Sequence, residues 1–199
     1  MPEPDTEPPI INIEGDLVAL GPLRRDLIPT YQRWINDFAS VRTLGVPPVP
    51  MTLERETAWF EGAATGDTVF FTVYERTTGR PVGNVDLRDV DRHHKTAEFG
   101  ILIGEPDARG KGYGTEATHL TLDYAFTALG LNNVMLRVFE YNLAGQRAYR
   151  KAGFREFGRQ REARWFAGRR WDVIFMDCLA AEFESPVLAR VLVPDEPRS

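Results

Sequence analysis

The feature of this 199-residue chain that most constrains its folding is the run Arg109-Gly110-Lys111-Gly112-Tyr113-Gly114, set between a strand pattern and a helix pattern. A strand that turns sharply into a helix exposes the first helical N–H groups at one spot, because they have no intrahelical acceptor. Those amides and the helix dipole attract anions, and glycines leave room for a phosphate to approach. Arg109 and Lys111 add positive charge. Spacing removes two commoner nucleotide signatures. A P-loop needs glycine, four residues, then Gly-Lys and Ser or Thr; here Gly104 is one residue too early and Gly112 follows the lysine. A dinucleotide fingerprint needs glycine at the place of Thr115 and opens a parallel βαβ unit, whereas this turn follows antiparallel patterns. A tight turn that binds nothing is the plain alternative.

The surrounding pattern defines the frame. Ile11 to Leu20 predicts a strand kinked near Gly15-Asp16, and Leu27, Tyr31, Trp34, Ile35 and Phe38 mark one helical stripe. After a Pro-rich loop, Thr52 caps a second helix. Thr68–Tyr74, Pro81–Val90 and Thr96–Gly104 read as an antiparallel meander, Tyr113–Leu129 as a long helix, and Asn133–Glu140 as a strand. Asn142–Ala152 is a short helix, and Phe154–Phe166 with Arg169–Leu179 a final hairpin. The layout is α+β (mixed α/β) in one domain over residues 10–181. Residues 1–9 are expected as a disordered tail and 182–199 as a C-terminal tail, whose apolar stretch Val187–Val193 either packs on a partner or hangs loose.

Composition closes off several classes. A net charge of −5 gives no basic surplus for a phosphate backbone, so nucleic-acid binding is not expected. No long apolar run and no basic-then-apolar leader occurs, which predicts a cytoplasmic chain without a membrane span. The single cysteine, Cys178, lies in an apolar strand and reads as a small core residue. No metal-ligand cluster is evident.

Arg109, Gly112 and Gly114 match the Arg/Gln-x-x-Gly-x-Gly/Ala signature, and the chain thereby resembles the GNAT superfamily of N-acetyltransferases. Ala97-Glu98-Phe99-Gly100-Ile101, Asn142 and Tyr149-Arg150-Lys151-Ala152-Gly153-Phe154 extend the resemblance toward the RimJ/RimL-like and spermidine-acetyltransferase branch, over about residues 11–181. The resemblance implies a central, mostly antiparallel sheet of about seven strands, splayed where coenzyme A binds and flanked by about four helices. It implies acetyl-CoA as cosubstrate, no metal, a small-molecule or peptidic amine acceptor, and a homodimer.

On this footing Arg109, Gly110, Lys111, Gly112, Tyr113, Gly114 and Thr115 are expected to clamp the pyrophosphate, and the backbone of Ile101, Leu102 and Ile103 to hold the acetyl carbonyl and pantetheine amides. Asn142 is expected to cap its helix, to touch pantetheine, or both. Tyr149, about two turns further along that helix, is the candidate acid for the departing thiolate, with core packing as the alternative. Glu98 is the candidate base for the amine proton, or else a structural carboxylate paired across the sheet. Asp86 and Glu140, taken to lie near strand ends, are lesser candidates, and His93 and His94 read as solvated turn residues. Trp34, Trp59, Trp165 and Phe166 are available for an acceptor pocket. A non-catalytic acyl-CoA-binding module and a plain interaction domain stay open beside the enzyme.

Overall fold

In the computed structural model, which describes residues 7–194, the chain forms a sheet of eight strands with helices on both faces. Among the described residues these are β1 (Ile13–Glu14), β2 (Val18–Gly21), β3 (Val69–Glu75), β4 (Pro81–Asp91), β5 (Thr96–Ile103), β6 (Asn133–Phe139), β7 (Arg155–Phe166) and β8 (Arg169–Leu179). The helices are α1 (Ile28–Asn36), α2 (Phe38–Val41), α3 (Leu53–Thr65), α4 (Tyr113–Asp123), α5 (Leu143–Lys151) and α6 (Leu188–Val191). The eighth strand arises because the first apolar segment breaks at Gly15-Asp16 into a hairpin, with Gly15 donating to Val18 O at 2.9 Å. Two one-turn helices, α2 and α6, raise the helix number above the expected four.

Strand order is β1-β2-β3-β4-β5-β6-β8-β7. All neighbours are antiparallel except β5 and β6, which run parallel only over Thr96–Glu98 and Asn133–Met135. Beyond that point β6 turns its whole length to β8 and the open side of β5 has no strand partner. The sheet is therefore splayed along the second half of β5.

Alternation along the strands sorts the two faces. Val85 and Leu87 of β4, with Ala97 and Phe99 of β5, join the main core under α4, where Ala117, Leu120 and Leu122 are also buried. Each Val, Leu or Phe among these contributes on the order of 2 kcal/mol by leaving water. α1 has Pro29 in its first turn and buries Ile28, Tyr31 and Trp34; α3 is capped by Thr52 accepting from Arg55 N, and buries Phe60 against the same group. This smaller cluster covers part of the opposite face.

α4 does not run to Leu129 as one regular helix: it passes into a π-helical turn at Tyr124–Ala128. The last α residue, Asp123, is buried, and its carboxylate accepts from Thr127 Oγ1 (2.8 Å), Val187 N (3.0 Å) and Leu188 N (2.8 Å). The C-terminal stretch thus returns to α4, with Leu188 in the core and Phe183 against His119 and Phe126. From Ala189 to Val193 the run faces solvent. At the other end, Glu7 O accepts from Arg24 Nη1 at 2.8 Å, while residues 1–6 of the expected tail lie outside the described residues.

Candidate active site

The glycine turn stands at the start of α4. Gly112 is the N-cap at φ 89°, a left-handed conformation costly for any residue with a Cβ, and its carbonyl takes the first helical bonds from Thr115 and Glu116, both at 3.0 Å. The amides before Thr115 are left to point out of the helix start. A Cβ added at Gly110 would meet nothing within 4 Å, so the cradle is open. Lys111 lies exposed over the Tyr113 ring at 5.8 Å, and the Tyr113 hydroxyl donates to Glu75 Oε1 at 2.5 Å. Arg109 behaves differently from the expectation of a free cation. Its Nε and Nη2 donate to Ile103 O (3.2 Å) and Gly104 O (3.3 Å), and Nη2 reaches the Ser40 hydroxyl and Asp37 Oδ2 (3.5 Å). The guanidinium straps α2 to the end of β5.

Register decides which β5 amides face the splay. Gly104 N donates to Val82 O, so by antiparallel alternation Gly100 and Leu102 are turned to β4, while Phe99, Ile101 and Ile103 face the open side. Ile101 and Ile103 thus have amides available to a ligand. Leu102 does not; its contribution is a side chain packed on the cluster of Tyr31 and Trp34.

Asn142 caps α5, its Oδ1 accepting from Gly145 N at 3.0 Å. One helix face along, the Tyr149 ring stands edge-on to Phe99 and Phe154, at 6.3 and 6.1 Å between centroids. Burial, reinforced by the negative charge of Asp86, pushes its hydroxyl up to about 12. Tyr149 packs on the apolar face, against the main core.

That opposite face carries a ladder of charge. Glu98 takes a forked pair from Arg137 (2.9 and 3.0 Å from Nη2, 3.1 Å from Nε), and Arg88 stands 3.6 Å from Glu98 and 3.4 Å from Asp86. Asp86 has no such fork. It lies mid-strand in β4 and not near a strand end, opposite Gly100 and Phe70. A Cβ on Gly100 would fall 2.5 Å from Asp86 Oδ2, so glycine there makes room for the carboxylate. Burial raises Asp86 to about 6, with Arg88 lowering it and Glu98 raising it.

An aromatic wall flanks Asp86. Trp59 sits edge-on to Phe70 (5.4 Å) and Tyr31 (6.1 Å). Trp34 is buried core, its Nε1 donating to Glu105 at 2.8 Å, and Trp165 is exposed under Arg170, so neither lines this wall. Phe166 stacks on Tyr141 at 4.8 Å, and the Tyr141 hydroxyl donates to Arg42 O (2.7 Å), joining the loop after α2 to the final hairpin. Glu140 accepts from Asp172 N and closes the β6–β8 corner. His93 and His94 are exposed, and burial pushes the Cys178 thiol up to about 11, away from reactivity. No group of His, Cys, Asp or Glu among the described residues is placed to hold a metal, and no helix there is long and apolar enough to cross a membrane.

Comparison with known proteins agrees with this geometry. The chain is 34% identical to spermidine N(1)-acetyltransferase of Vibrio cholerae over 102 residues, covering 51% of this chain and 58% of that enzyme. It is 32% identical to human alpha/beta-tubulin-N-acetyltransferase 9 over 158 residues, covering 71% and 74%. The matched stretch is thus a little over half of the Vibrio enzyme. Among solved structures, Vibrio cholerae spermidine N-acetyltransferase in complex with CoA and spermine superposes with a TM-score of 0.77 at 25% identity, over 84% of this chain and 98% of that one. The acetyltransferase (GNAT) domain model matches residues 18–155, and the chain belongs to the GNAT acetyltransferase family.

Proposed function

We propose that the protein transfers an acetyl group from acetyl-CoA to a primary amine, with a polyamine such as spermidine as the favoured acceptor. The carrying observation is the second half of β5, which has no strand partner and leaves the Ile101 and Ile103 amides open beside the glycine cradle that starts α4. Acetyl-CoA supplies an activated acyl group. The cradle from Gly110 to Thr115 and Lys111 fit its pyrophosphate, and the Ile101 and Ile103 amides fit its carbonyl and pantetheine groups. Arg109 and Asn142 shape the cradle's surroundings through the bonds described above.

Amines are mostly protonated at neutral pH, so the acceptor needs a base. Asp86, ionised above about 6, suits that role, directly or through one water. Glu98 remains a second candidate, but its fork with Arg137 favours a positioning role. Tyr149, protonated throughout the working range, donates to the departing thiolate. The half-buried Trp59 and Phe70 suit the methylene stems of a polyamine, and Asp86 its charge. We also propose a homodimer through the exposed edge of β7, where Phe157 and Trp165 face solvent.

A free-thiol release assay with acetyl-CoA tests the reading against spermidine, spermine and a peptide with a free amino terminus. Thiol release dependent on the amine is expected, with polyamines turned over fastest. CoA binding without release for any amine would instead identify a non-catalytic acyl-CoA-binding module.

A further inference from the structure

The turn between β1 and β2 and the first turn of α4 are about a hundred residues apart in sequence, yet one side chain joins them. The Glu116 carboxylate leaves α4 and accepts from three successive backbone amides: Asp16 N at 2.9 Å on Oε1, Leu17 N at 2.7 Å and Val18 N at 2.7 Å on Oε2. The contact is close enough that a Cβ on Gly15 would stand 2.9 Å from Glu116 Cδ. Leu17, in the same turn, lies 3.2 Å from where a Cβ on Gly112 would be. The hairpin turn therefore abuts the N-cap of the anion cradle itself.

Electrostatics make this arrangement informative. A carboxylate one turn into a helix suits the helix dipole, but beside a cradle for pyrophosphate it would repel the ligand. Three amide donors offset its charge, and the carboxylate in turn fills the only strong anion-binding feature of the hairpin turn. The start of α4 is also held from the sheet side, by Tyr113 donating to Glu75. With both ends of its first turn fixed, the cradle's free amides need no rearrangement when an anion arrives.

We infer that Glu116 is a positioning residue for the cosubstrate: it latches the β1–β2 turn to the start of α4 and so holds the pyrophosphate cradle in its binding geometry. This rests on the acetyl-CoA reading above. The cradle and the turn then form one energetic unit, so occupancy of one should be felt at the other.

Glu116→Gln is the direct test, because a glutamine must turn its NH2 toward at least one of the three amides. The KM for acetyl-CoA should rise about tenfold, with kcat and the KM for the amine within about twofold of wild type. A lowered Tm with an unchanged acetyl-CoA KM would overturn the latch and leave Glu116 a structural residue only. Should that variant fail to fold, Gly15→Ala disturbs the same contact from the hairpin side and should raise the acetyl-CoA KM likewise. In the unaltered protein, hydrogen exchange at Asp16, Leu17 and Val18 should slow when CoA binds, and unchanged exchange would overturn the coupling. A wild-type chain that binds no CoA would overturn the cradle, and the latch with it. Wild-type binding matched by Glu116→Gln would overturn the latch alone.

Discussion

Under α4 the sheet presents Val85, Leu87, Ala97 and Phe99, all buried; the intervening residues of the same strands present Asn84, Asp86, Arg88 and Glu98 to the other side. The first face is dry and closed, and it fixes where the backbone of β5 and the start of α4 lie. The second is charged, partly covered by the cluster of Tyr31, Trp34 and Phe60, and open at Asp86. Under the proposed function, donor recognition falls to backbone amides on a rigid frame, and acceptor chemistry to side chains on a face whose charges hold one another. Such a division lets the acceptor side vary while the donor side stays the same.

Replacing Tyr149 by Phe removes the proposed acid on the apolar face and should have the largest effect. kcat is expected to fall about a hundredfold or more while the acetyl-CoA KM changes little, as steady-state kinetics would report. Unchanged turnover would remove the acid role. Asp86→Asn attacks the charged face alone and should lower kcat/KM by about a hundredfold, abolishing the loss of activity that wild type shows as pH falls through about 6. It carries a second sign. Because burial raises Asp86 in the folded protein, its contribution to stability is full below the ordinary aspartate value and is lost as pH rises through about 6. The variant should therefore melt higher than wild type at pH 8 and lose that advantage at pH 4; a lower Tm at pH 8 would show that the Arg88 pair outweighs burial.

Gly112→Ala touches only the backbone side. Its φ of 89° makes a Cβ cost about 1–2 kcal/mol, and the acetyl-CoA KM should rise about tenfold with kcat nearly intact. The smallest effect is expected from Arg137→Met. Its side chain is 54% exposed, so loss of the fork to Glu98 should cost about 1 kcal/mol or less in denaturant unfolding. A large loss of activity there would move the base role back toward Glu98.

The same division explains what was legible in the sequence. The glycine turn and the Asn142 cap were readable because each rests on local geometry, a positive φ and an N-cap, and Tyr149 was placed by its helical spacing from Asn142. Asp86 ranked lower in the sequence because the proposal for it rests on register, which sets it against Gly100, next to the half of β5 that β6 leaves open. Nothing within ten residues of Asp86 reveals that opening. Arg109 matched the family signature by residue type, yet its guanidinium turns back to Ile103 and Ser40, contacts decided by the placement of α2. The ties from Glu116 and Asp123 to distant turns join pieces far apart in the chain and leave no periodic trace.

The attachment at Asp123 bears on where this chain tolerates being shortened. Composition invites a stop codon near residue 181, but such a truncation would strip two amide donors from a buried carboxylate and uncover the surface that Phe183 and Leu188 fill. Losing two of three donors to a buried carboxylate costs on the order of 1–3 kcal/mol, a sizeable part of a domain's margin. For expression, fusion or crystallisation, the earliest safe place to end the polypeptide lies just beyond α6, where Leu192 and Val193 face solvent.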